Sequence, residues 1–170
     1  LNEIKDLENV KAIFIIEDDD YYKPFYLERM VERLKGFEAA GELNTIYYNI
    51  PFNMYIRNGN TKHSSLFQTC FTPAALPVFR SCLNDKFIDA AFFSKIKNVN
   101  LFNDDNLAIG MKGMAGRGGI GAGHKRDLFS RAGIKDTSMN WLRSQTGENV
   151  NLYAKYNNEN NLRTHASFFK

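Results

Sequence analysis

Residues 10–16, VKAIFII, are an unbroken apolar and β-branched run with no helical period, which predicts a buried strand. The run ends in Glu17-Asp18-Asp19-Asp20, where the chain must surface. Pro24 fits the first turn of a helix. Leu27, Met30, Val31 and Leu34 then recur at helical spacing, with Glu28, Arg29, Glu32 and Arg33 on the other side. The pattern predicts an amphipathic helix that closes near Gly36 or Gly41. Residues 43–50, LNTIYYNI, read as a second strand stopped by Pro51, and Asn58-Gly59 is a hairpin-turn signal. Residues 64–71 predict another strand. Thr72-Pro73 predicts the start of a helix over 73–83, shortened or bent by Pro77. Asp85 is placed to cap a further helix with Phe87, Ile88, Ala91, Phe92 and Ile96 on its apolar face, and 107–111 reads as a short strand. Early alternation of strand and helix favours an α/β layered fold. One region, 1–144, carries this pattern, and an Asn-rich extension follows over 145–170.

Composition narrows the class without naming it. The 170 residues are 44% hydrophobic and 24% charged, ordinary values that argue against a disordered or disulfide-stapled chain. No apolar run approaches the ~18–20 residues of a membrane helix, so a soluble, cytoplasmic chain without a membrane span is expected. Cys70 and Cys82 fit no zinc spacing and read as buried thiols. The net charge of +3 is too small to argue for nucleic acid. Its distribution is more telling. Acids crowd at 17–20, whereas 110–135 holds six Lys or Arg and one acid, Asp127.

Four adjacent carboxylates at a strand's carboxyl end repel one another by on the order of a kcal/mol per close contact, which a divalent cation would relieve. Mg²⁺ and Mn²⁺ prefer such oxygen ligands and keep open positions for phosphates. An acidic turn that merely caps the following helix is the structural alternative. The second concentration of chemistry is Gly110–Lys125, GMKGMAGRGGIGAGHK. It matches neither a Walker loop nor a dinucleotide fingerprint in its proper context. Its glycines nonetheless let backbone N–H groups converge on an anion, with Lys112 and Arg117 beside Gly118 and Gly119 adding charge. Asp89, set among Phe87, Ile88, Phe92 and Phe93, is a candidate base, with Asp85 as the alternative.

The segment IFIIEDDDYYKPFYLERM resembles the metal-binding segment of GT-A-type glycosyltransferases, in the variant written Glu-Asp-Asp with a Pro five residues on. The resemblance implies a GT-A-like, Rossmann-like layered sheet with flanking helices, in a partial or reduced version, because only about ten residues precede the first strand. A partner chain or a missing N-terminal segment would then complete the nucleotide site. It further implies Mn²⁺ or Mg²⁺ as cofactor, a nucleotide-sugar donor, and an acceptor that is a glycan, a protein or a modified nucleic acid. Asp19 would be the principal metal ligand, Glu17 a supporting acid and Asp18 the neighbour at the sugar. Asp20 also fits Asp-X-Asp and stays open as a ligand. His124 would complete the metal site, and Lys112, Arg117, Gly118 and Gly119 would meet the donor diphosphate. Two other functions fit the same residues: a metal-dependent nuclease or phosphotransferase, and a non-catalytic assembly protein with a degenerate transferase fold.

Overall fold

The computed structural model describes residues 7–104, 106–114, 116 and 122–157. The chain is mixed α/β and gathers into two compact units, Leu1–Thr45 with Gly59–Ala108, and Ile46–Asn58 with Ile109–Lys170.

The first unit opens with β1 (Ile13–Phe14), then β2 (Tyr21–Tyr22) and helix α1 (Tyr26–Leu34). The strand β3 (Ala39–Glu42) follows. The predicted seven-residue buried strand is only two residues long and half-buried, because β1 is an edge strand with a single neighbour. The apolar face of α1 is also shifted from the sequence pattern. Tyr26, Met30 and Leu34 are buried at intervals of four, whereas Leu27 and Val31 are exposed. Tyr26 wins the core position because its ring meets Tyr22 and its hydroxyl donates to the Phe67 carbonyl at 3.1 Å. Gly36 ends the helix region with φ +82°, a conformation that favours glycine.

The chain next forms β4 (Asn44–Asn49) and β5 (Met54–Gly59), and returns to the first unit at β6 (Thr69–Phe71). Helices α2 (Leu76–Ser81) and α3 (Ile88–Lys95) precede β7 (Val99–Phe102). The first sheet has the order β1-β6-β3-β7, with β6 antiparallel to β1 and β3, and β3 parallel to β7. Three strands therefore run one way, and their carboxyl ends share one edge of the sheet. Cys70 and Phe71 point to opposite faces. The Cys70 thiol donates to the Met30 carbonyl on α1, while Phe71 stacks on Phe79 of α2 and packs tilted against Phe92 of α3. Helices thus cover both faces. The second face closes on Ala39, Phe71, Leu76, Phe79, Cys82, Phe92 and Phe93. The central strand is built of small residues because it is covered twice. A Cβ on Gly41 would lie 2.3 Å from the Ser64 Cβ and 2.9 Å from the Phe93 ring.

In the second unit β4 runs parallel to β8 (Ala108–Lys112), and β5 pairs antiparallel with β9 (Ile134–Lys135), in the order β8-β4-β5-β9. Asn58-Gly59 is not a turn: both residues lie in β5. The reversal falls at 50–53 instead, where Asn53 takes φ +47°. Helices α4 (Arg126–Ala132) and α5 (Asn140–Thr146) complete the unit, with helix again over 150–157. Asp136 starts α5 by accepting the N–H groups of Trp141 and Leu142 at 2.8 and 3.0 Å, and it also accepts the Tyr48 hydroxyl. Trp141 stacks on Tyr55 with ring centres 3.9 Å apart. Among the described residues no helix is long and apolar enough to cross a membrane.

Candidate metal centre

The acidic segment leaves β1 at its carboxyl end. The Ile15 N–H still donates to the Thr69 carbonyl, so sheet pairing holds to the residue before Ile16. The chain then turns: Asp20 N–H donates to the Glu17 carbonyl at 3.2 Å, and Glu17 N–H donates to the Tyr22 hydroxyl at 2.9 Å. This turn divides the four acids. Asp18 faces solvent, while Glu17 and Asp19 are half-buried and Asp20 is buried. Ligand oxygens of Glu17, Asp19 and Asp20 all lie within 4.8 Å of one another. Three carboxylates at that spacing form a hard oxygen donor set that fits a divalent cation such as Mn²⁺ or Mg²⁺.

The floor of this group is aromatic. Burial pushes the Tyr22 hydroxyl far above its ordinary value of 10, with further upward pushes from Asp20, Glu17 and Asp19. Tyr22 is therefore a neutral phenol. Its ring packs edge-on against Tyr26 at 4.8 Å, which anchors the turn to α1.

The convergent group holds only carboxylates among the described residues, so neither His124 nor Asp89 belongs to it. Asp89 lies in the first turn of α3, half-buried, and its Oδ1 accepts the Ala90 N–H at 2.9 Å. Asp85, expected to cap that helix, instead pairs with Lys95 at 3.5 Å. In the second unit Lys112 is buried at the carboxyl end of β8, with its ammonium 5.8 Å above the Tyr47 ring. Gly123 packs on the same two side chains: a Cβ there would meet the Tyr47 ring at 2.6 Å and the Lys112 stem at 3.0 Å. At the other foot of the loop, Gly113 has φ +85° and lies against Pro51. Both feet of the glycine-rich segment are thus places only glycine fits. His124 is half-buried one residue beyond the second foot. Arg117, Gly118 and Gly119 lie outside the described residues.

Sequence reasoning missed Glu42, a fully buried acid at the carboxyl end of β3. The signal was there: a lone acid closing the small-residue run Ala39-Ala40-Gly41 directly before an apolar strand. No protein-family model, curated protein or solved structure matches this chain significantly.

Proposed function

We propose that Glu17, Asp19 and Asp20 hold a divalent cation, Mn²⁺ or Mg²⁺, and that the chain is the cation-binding part of a glycosyltransferase using a nucleotide-sugar donor. The observation that carries the cation site is the convergence of three carboxylates within 4.8 Å at a strand's carboxyl end, where α/β sheets bind ligands. The transferase half rests on the resemblance of residues 13–30 to the GT-A-type segment. A cation bound there would supply positive charge to a leaving diphosphate. Glu17, Asp19 and Asp20 position it, and Asp18, turned to solvent, is the acid left to meet a donor sugar. Asp89 takes the acceptor proton if transfer inverts configuration.

The test is calorimetry with Mn²⁺, followed by turnover assays with nucleotide sugars and, separately, with DNA or RNA. Mn²⁺ should bind, and Asp19→Ala should abolish the heat. If transfer inverts configuration, Asp89→Asn should cut it by roughly two to four orders of magnitude while leaving Mn²⁺ affinity unchanged. Binding of Mn²⁺ with hydrolysis of nucleic acid alone would replace the transferase with a nuclease. Absence of any cation heat would leave an acidic turn in a non-catalytic protein.

A further inference from the structure

Glu42 sits on the face of the first sheet that α1 covers, and its surroundings do not balance as hydrogen bonds. Its Oε2 accepts Gln68 Nε2–H at 2.8 Å and Leu107 N–H at 3.0 Å. Gln68 directs its amide nitrogen also to the Asn44 carbonyl at 3.2 Å. Among the described residues, three buried acceptor oxygens then remain without a donor: Glu42 Oε1, Gln68 Oε1 and Asn106 Oδ1. Unmatched buried acceptors are rare in folded proteins because each has given up its water. Of these three side chains, only Glu42 can gain a hydrogen. A carboxylic acid facing a primary amide forms a two-point pair, in which the amide N–H meets the acid carbonyl and the acid O–H meets an amide carbonyl. The first half of that pair is in place.

We infer that Glu42 is a proton-operated clamp: held as the neutral acid with its hydrogen on Oε1, it donates to Gln68 or Asn106, and loss of that proton loosens the segment carrying Asn106 and Leu107. The local backbone agrees. Asn106 takes φ +53°, a left-handed conformation that asparagine tolerates better than most residues, and its backbone and that of Leu107 both turn toward the Glu42 carboxyl. Among the described residues, the groups around Glu42 are mostly uncharged. From α1 comes Tyr26, a neutral phenol raised by burial. From β6 comes Cys70, whose thiol burial pushes up to about 12. From the segment after β7 comes Asp104, whose negative charge is held by Arg33 at 3.2 Å and Arg29 at 3.6 Å. The residues of β7 itself carry no titratable side chain. Burial pushes the Glu42 carboxyl from 4.5 up to about 7, against its N–H donors, and Asp104 adds a smaller upward push. Folding therefore takes up a proton at this site between those values. The stabilisation is full below 4.5, is lost as pH rises to about 7, and is level above. No cation, nucleotide or acceptor enters this inference, so it stands or falls apart from the proposed function.

The direct measurement is the ¹³C shift of the Glu42 carboxyl in the wild-type chain, followed from about pH 4 to about pH 9. A midpoint near neutrality is expected, and a midpoint in the ordinary carboxylate range overturns the inference. Urea unfolding supplies the second measurement. Glu42→Gln stays neutral at every pH. From about pH 5 to about pH 8 the unfolding constant of the wild type should rise about 100-fold more than that of Glu42→Gln. Equal changes in the two proteins would overturn the proton's role. Exchange of the Leu107 amide reads the clamp itself: its protection should fall over this range in the wild type and hold in Glu42→Gln. Protection that holds in both would overturn the clamp. Should Glu42→Gln fail to fold, the wild-type carbon titration decides alone.

Discussion

The first sheet ends in two kinds of acidic site along one edge, and they solve the same electrostatic problem in opposite ways. At the end of β1 three carboxylates converge within 4.8 Å, partly open to water. At the end of β3 a single carboxylate is sealed from solvent and ringed by N–H donors. In the proposed function, excess negative charge in the open group is offset from outside by a divalent cation. A lone buried carboxylate has no room for such a guest, and the smallest cation, a proton, neutralises it. Exposure and number, rather than residue type, decide which counter-charge an acid recruits.

The contrast can be broken most severely at Glu42. Glu42→Leu should cost on the order of 3 kcal/mol, because it strands the Gln68 amide and the Leu107 N–H in the interior. Chemical denaturation would show it, and a loss no greater than that of a surface substitution would mean these donors find other partners. Next in size is the cation effect at the β1 end. Mn²⁺ at about 100 times its dissociation constant should add about 2.7 kcal/mol of stability. Asp19→Ala should abolish that gain, whereas Asp18→Ala, turned to solvent, should keep most of it. Equal losses in the two variants would show that the division of the four acids by the turn is irrelevant. The smallest effect has the opposite sign. Without cation, Asp19→Asn should stabilise the protein by up to about 1 kcal/mol, since it relieves repulsion inside the group. A destabilised variant would show that the three acids are already compensated by the fold.

Much of the fold was legible from the sequence. The acids after an apolar run, the helix behind Pro24, and the strands at 44–49 and 108–112 all announce themselves by pattern. What stayed hidden has a physical cause in each case. Ala39-Ala40-Gly41-Glu42 carries little hydrophobicity, because a strand covered on both faces at close range needs small residues rather than large ones. Its glycines at 36 and 41 therefore read only as helix stops. The α1 face was misplaced because Tyr26 counts as amphipathic by itself and becomes core only once Phe67 offers its carbonyl. Asn58-Gly59 carries a turn composition, but the chain reverses earlier, at 50–53, beside Pro51. The convergence of Glu17, Asp19 and Asp20 without Asp18 depends on a hydrogen bond to the Tyr22 hydroxyl, which no spacing rule encodes.

The two free thiols make this unit its own recorder. Cys70 lies behind α1 and Cys82 lies under α2 and α3, so they sit in separate layers of one small body. With its thiol pushed up to about 12, Cys70 holds almost no thiolate at neutral pH and reacts with an alkylating reagent only when α1 lifts and water enters. Labelling rates at the two cysteines, followed separately by mass spectrometry, would time the opening of each layer without any added probe. A faster Cys70 rate at alkaline pH, beyond the rise that hydroxide alone brings, with Cys82 unmoved, would locate that breathing motion on the Glu42 side of the sheet.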